Sequence, residues 1–525
     1  MRVTIGVLGV LTVGFGCSGS GTTAPAICGP LQSGGQLDPQ AAGDLVVAPD
    51  EKHVAFLRDP VTVESGCPSR ATQWRTGTLV VASLQPDGSS CERVVARDVL
   101  LYSIFFSPDS RSLVFREGID MCGVGDLKAA EADGANVRLV RRSVYSSVAR
   151  GASVIFDLLD TTDFAAPIAG GATVSLGTHN ETYPDNPSFN APGTAFARLT
   201  DGSEGYGVAA SSLVLVELPS GERRTIVDSA TERFGNNGWS HRGDWLALPH
   251  APAGASTDTM SLTLVAADDS ERIEISTNCR CQAVAFTPDD SWLAYDEPDS
   301  SGGTRIVTRS LKDGSKVTLG VLPAGYAQLL FSGDGANVVA MVSTPQSVKV
   351  SVYGATTGVS GSLQLLTTDV YIAGDTIAGG GHVVLPLSTG MLQVFPVAGG
   401  APVALAGVNP QFETGVPAPH LLFSQYSPTL VGVAAADGTA VTSRALPDSI
   451  AFATWLGSAA VYGFGPYDQI TISALTNGGT VTTEVARTAG AYAWAPIAAP
   501  TRLFYSRAAS SADGPPGVWL VDLPR

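Results

Sequence analysis

Phe286-Thr287-Pro288-Asp289-Asp290-Ser291-Trp292-Leu293-Ala294-Tyr295 decides how this chain is read. Two short apolar runs, 283–286 and 292–295, flank the turn residues Thr287, Pro288, Asp289 and Asp290. Proline at the second turn position presets φ, and the aspartate after it hydrogen-bonds nearby backbone, so the turn has a mechanism. Apolar runs joined this way form a β-hairpin. Their near-continuous hydrophobicity is that of strands covered on both faces.

Working outward, the unit recurs when the chain is aligned on Pro288. V-A-P-D-E-K-H-V-A-F (47–56) puts Pro49 at that position, and F-S-P-D-S-R-S-L-V-F (106–115) puts Pro108 there. Ala191, His241 and Gly333 occupy it in 189–196, 239–248 and 331–340, and weaker copies centre near Ala149, Gly374, Thr414, Gly457 and Pro496. A second strand–turn–strand follows in several copies, with Pro86-Asp87-Gly88, Lys312-Asp313-Gly314 and Ala436-Asp437-Gly438 at its turns. Two hairpins per unit, at a period of about 40–45 residues, describe a four-stranded propeller blade rather than a helical solenoid. The repeated Asp50, Asp109, Asp289 and Asp334 recur once per unit, as turn-shaping residues should.

S-P-D-x-x-x-L-V-F and T-P-D-D-S-W-L-A-Y resemble the TolB-type, WD-repeat-like propeller repeat, whose usual form is Ser-Pro-Asp-Gly before a short apolar strand. The likeness runs from about Leu45 to the C-terminus and is specific for fold, not activity. TolB itself carries an α/β domain before its propeller. Here a short Gly/Ser/Pro-rich stretch precedes the first copy.

Eleven units exceed the usual limit of about eight blades in one ring. The chain is therefore divided into a segment 18–44, an N-terminal propeller at 45–325 and a C-terminal propeller at 326–525. One ring of seven or eight blades with decorated loops is the alternative. The last unit lacks a fourth strand, and residues from about 31 to 45 are candidates to complete its edge. Such a meeting of the two ends would make two separate rings harder to build.

Arg2, the apolar run 3–15 and Gly16-Cys17 resemble a bacterial lipoprotein signal, with residues 1–17 as the signal and Cys17 as the lipidated residue. Thirteen apolar or small residues are too few to span a bilayer as a helix. Six further cysteines, Cys28, Cys67, Cys91, Cys122, Cys279 and Cys281, suit disulfides in an exported chain, with the pairing left open. A formal charge of −17 argues against nucleic acid, whose binders present cationic footprints.

The search for chemistry returns little. A peptidase of the prolyl-oligopeptidase type needs a G-x-S-x-G elbow on an α/β segment, and the sequence has neither. A sialidase-like Asp-box is matched only in part. His179, Glu181 and Asp185, with Asn180 and Asn186, are weak metal candidates, against the plainer reading of a solvated loop. Trp239, Trp455 and Trp494 share a unit position and read as inter-blade core. The expectation is an exported, lipid-anchored outer-membrane protein facing the periplasm or cell surface. It would be a non-catalytic scaffold for a protein or peptide partner, with no cofactor and membrane contact only through lipid. A metal-dependent propeller hydrolase or lyase, and a polysaccharide binder, are the alternatives.

Overall fold

The computed structural model describes residues 25–523 apart from short intervals, of which 65–72, 179–186, 201–211, 366–376 and 508–516 are the longest. All regular structure among the described residues is β-strand. No helix there is long and apolar enough to cross a membrane.

The hairpin around Pro288 forms as its residues dictate. Val284–Phe286 pairs antiparallel with Trp292–Pro298, which pairs with Thr304–Ser310, which pairs with Lys316–Leu322. This four-stranded antiparallel meander repeats along the chain. The units cover 42–100, 105–144, 144–178, 187–227, 232–279, 284–322, 326–365, 377–406, 408–445, 450–489 and 489–522 and are called units 1 to 11. Such meanders, packed face to face in sequence order, are the blades of a β-propeller.

Alternation along the second strand of each unit explains its unbroken apolar run. In unit 6, Leu293 and Tyr295 face unit 5, joining Leu262 and Leu264, while Ala294 faces unit 7, joining Val338 and Ala340. Both faces are covered, so both parities are apolar. Each fully buried large side chain contributes about 1.5–3 kcal/mol of transfer free energy.

Each apolar cluster among the described residues draws on two consecutive units. One more cluster joins the last unit to the first, with Phe504 and Val518 against Val54, Phe56 and Val80. The division read from the sequence at 325/326 falls inside a packed interface, where Ile306 and Leu322 meet Ala327 and Val338.

The candidate closing segment does complete the last unit. Gln36–Asp38 pairs antiparallel with Gly517–Asp522, and Leu520 N donates to Gly35 O at 3.0 Å. The fourth strand of unit 11 thus comes from the N-terminal side of unit 1.

Two of the weaker copies have a topological reason. Arg138–Arg150 pairs through its first half with Gly125–Glu131 and through its second with Ser153–Leu158. Val481–Ala493 likewise serves units 10 and 11. A shared strand needs no connection between units, so the copies near Ala149 and Pro496 lose part of their pattern. The copy aligned near Gly374 was misplaced: Gly374 lies outside the described residues, and that unit turns between Ile377–Gly379 and His382–Pro386.

Candidate functional site

Because strands alternate in direction, the units present two unlike faces. First-to-second and third-to-fourth strand turns share one face. Second-to-third connections and the links between units share the other.

The turn face is built from short side-chain hydrogen bonds. The fourth turn residue donates its N–H to the first residue's carbonyl, as in Ser110 to Ser107 and Asp290 to Thr287, both at 2.9 Å. In several turns the first residue is a buried hydroxyl or amide that takes the N–H groups leaving the turn. Thr287 Oγ1 accepts from Ser291 N and Trp292 N at 2.9 Å, and Asn190 Oδ1 accepts from Thr194 N and Ala195 N at 2.9 Å. Asp289 accepts from the Ser291 hydroxyl at 2.7 Å and from its N–H at 3.1 Å. These bonds, the Ser291 hydroxyl foremost, hold its carboxyl down at about 2.

The fourth turn residue does more than close the loop. Glu51, Ser110 and Asp290 stand at φ of 56°, 58° and 57°, where a Ser-Pro-Asp-Gly turn carries glycine. Each uses its side chain to bind a neighbouring unit. Asp290 accepts from His241 N at 2.9 Å and Arg242 N at 2.7 Å, one unit back. Ser110 Oγ accepts from Asp50 N at 2.9 Å. Glu51, which is buried, accepts from Thr501 N at 2.7 Å, from Arg502 N at 3.2 Å and from the Thr501 hydroxyl, across the joint between units 11 and 1. Sequence reading missed these bridges. The signal was a residue with a side chain where the pattern carries glycine.

The loop face carries the longer connections and is braced differently. Cys279 and Cys281 form a disulfide in the link between units 5 and 6. Asp296, fully buried by the same link, accepts from Ala283 N at 3.1 Å through its carboxylate and from Arg280 N at 3.0 Å through its carbonyl. Burial raises its carboxyl above the ordinary range. Glu297 accepts from Lys316 Nζ at 2.7 Å and from Ser276 Oγ at 2.9 Å. In unit 2, Arg116 is buried and donates to the carbonyls of Gly123, Val144 and Tyr145, and burial lowers its guanidinium to about 10. Cys122, beside it, is also disulfide-bonded.

Three comparisons bear on this architecture. No protein-family model matches the chain, and no curated protein sequence matches it. Among solved structures, TolB from Acinetobacter baumannii aligns over 65% of this chain and 77% of its own, with 10% identity and a TM-score of 0.28. An oligogalacturonate lyase from Vibrio parahaemolyticus aligns over 64% of this chain and 94% of its own, with 14% identity and a TM-score of 0.31. A structure from a study of two prolyl endopeptidases aligns over 63% of this chain, with 15% identity and a TM-score of 0.33, and this chain spans 55% of its length. Likeness at this level carries no statement about activity.

The residues singled out from sequence sort as follows. Pro49, Asp50, Pro108, Asp109, Pro288 and Asp289 all stand in first-hairpin turns. Cys28 bonds Cys91 and Cys279 bonds Cys281. Cys17, Cys67, His179, Glu181, Asp185 and Asp334 lie outside the described residues. Among the described residues no three His, Cys, Asp or Glu side chains group as metal ligands. Trp239, Trp455 and Trp494 pack against three different inter-unit clusters. His241 reaches 3.4 Å from Asp290 Oδ1, His53 lies 2.9 Å from Ser83 Oγ, His250 lies 2.9 Å from Thr263 Oγ1, and His420 lies 3.0 Å from Glu413 Oε2.

Proposed function

We propose that this chain is an exported β-propeller that serves as a non-catalytic scaffold of the bacterial envelope, holding a protein or peptide partner on its loop face. The observation that carries the reading is the unlike build of the two faces. One is stitched unit to unit by turn side chains, and the other carries the longer connections on a braced frame. A rigid scaffold displaying variable connections is suited to binding. Disulfides at Cys28–Cys91 and Cys279–Cys281 favour an oxidising compartment, and hence export. Lipidation at Cys17 would then tether the molecule to a membrane.

The unbroken sequence of inter-unit clusters, with the last unit packed on the first, favours one closed ring over two consecutive propellers. Photo-crosslinking side chains placed at Val61, Tyr102 and Tyr426 on the loop face, and at Asp87 and Asp313 on the turn face, test the proposed surface in cells. Crosslinks to one partner from the loop-face set alone are expected. Crosslinks confined to the turn-face set sink the reading. Fractionation of the Cys17→Ser variant tests the anchor: it should leave the membrane fraction.

A further inference from the structure

The loop-face end of unit 5 brings together a carboxylate, an imidazole and a hydroxyl. His250 stands near the end of Trp245–Pro252, where the register sets Phe234 opposite His250, Glu232 opposite Pro252 and Leu248 opposite Thr263. Side chains alternate along a strand, so Glu232, His250 and Thr263 share one face of the sheet with Leu248 and Val265. That face packs on unit 4 through an apolar cluster. Past the cluster, toward the loop face, the side chains of His250 and Glu232 are partly exposed and within reach of a small solute.

The ring of His250 is held at one nitrogen and open at the other. Its Nε2 lies 2.9 Å from Thr263 Oγ1. With the proton on Nε2 the ring donates to that oxygen, and the Nδ1 lone pair is turned toward Glu232. Glu232 Oε1 stands 3.6 Å from Nδ1, beyond hydrogen-bond reach. A tetrahedral ion with bonds of about 2.1 Å holds two of its donors about 3.4 Å apart. An octahedral magnesium ion holds them about 2.9 Å apart, and it takes oxygen rather than imidazole. The gap therefore suits zinc or an ion like it. Anchoring of the far nitrogen is what fixes the tautomer and ring plane of a ligating imidazole. Two other histidines lack this build. His420 already bonds Glu413 at 3.0 Å, and the Asp290 carboxylate facing His241 takes two backbone N–H groups.

We propose that His250 and Glu232 hold one divalent ion of the zinc class on the loop face, with Thr263 positioning the imidazole. Two protein donors leave two tetrahedral positions open, filled by water in the isolated chain. On the reading of the loop face as a partner-binding surface, an imidazole or carboxylate of the bound partner takes one of them, and the ion joins the two proteins. That last step rests on the function proposed above. The ion site itself does not.

Zinc titrated into the full chain without any partner, followed by calorimetry, tests the site. One ion should bind at this place, and His250→Ala and Glu232→Gln should each weaken it by about tenfold or more. Thr263→Val should weaken it by about 10–100-fold, and Thr263→Ser, which keeps the hydroxyl, should restore it. His420→Ala should change nothing. Zinc affinity that is undiminished in His250→Ala, or no zinc binding by the parent chain, overturns the site. If the variants do not fold, nuclear magnetic resonance of the parent decides: zinc should shift the His250 ring signals and leave those of His420 in place, and the reverse overturns the site. Zinc binding without loop-face crosslinks would remove the partner and keep the ion. Loss of the ion would leave the crosslinking test standing.

Discussion

A left-handed backbone costs a residue bearing a Cβ about 1–2 kcal/mol, yet Glu51, Ser110 and Asp290 all adopt it. Each offsets that cost with a bond that glycine cannot make. The balance depends on burial. Asp290 has a side chain only 6% exposed and takes two backbone N–H groups, bonds of the charge-assisted kind. Asp290→Gly should therefore lower stability by about 1–2 kcal/mol despite the relief of strain. Ser110 makes one neutral bond at an exposed site, so Ser110→Gly should be neutral within about 0.5 kcal/mol. Glu51→Ala leaves the N–H groups of Thr501 and Arg502 without their acceptor and should cost about 2–3 kcal/mol. Urea unfolding of the three variants checks the order.

At the scale of the strand, two elements carry more than their share. Arg138–Arg150 and Val481–Ala493 each end one unit and begin the next, which couples units 2 with 3 and 10 with 11 through continuous backbone. Gly517 opens the strand that receives the closing segment. Its φ is 144°, and a Cβ there would stand 2.3 Å from the Asp38 carbonyl oxygen. Backbone cannot yield as a flexible side chain would. Gly517→Ala should lose more than about 2 kcal/mol. Gly302→Ala, at φ 83° in open space, should lose only the backbone term of about 1 kcal/mol. Equal losses at the two positions would show that the contact with Asp38 does not matter.

For the molecule as a whole, the joint between its ends gives stability a pH dependence of definite sign. Burial first, and the Asp38 carboxylate second, raise the Glu92 carboxyl from 4.5 to about 7 in the folded state, partly offset by Arg58. The folded state therefore holds a proton that the unfolded chain releases, so the contribution is complete below pH 4.5. It is lost as pH climbs toward 7 and changes no further above that. The group is partly solvated, so the loss should be nearer 1 kcal/mol than the full span implies. Urea midpoints at pH 5, 6, 7 and 8 should fall over that interval in the parent and far less in Glu92→Gln.

Much of the fold was legible in the residues themselves. Proline and aspartate at the turns, with apolar runs on either side, are local signals, and a hairpin obeys local rules. That is why Pro108 and Pro288 marked their turns correctly and why the missing fourth strand of the last unit pointed to the segment before Leu45. The copies at Ala149 and Gly374 were harder, since a shared strand removes a connection and a degenerate turn removes the punctuation. Beyond the reach of the pattern lay everything that depends on which unit meets which. The bridges from Glu51 and Asp290, the burial of Asp38 against Arg58, and the placing of Cys28 beside Cys91 arise between residues 20 to 451 positions apart. Sequence alone determined the module and its turns, because their energies are settled within ten residues. Tertiary structure decided the order of packing and the closure of the chain upon itself, because those energies exist only after distant surfaces have been brought together.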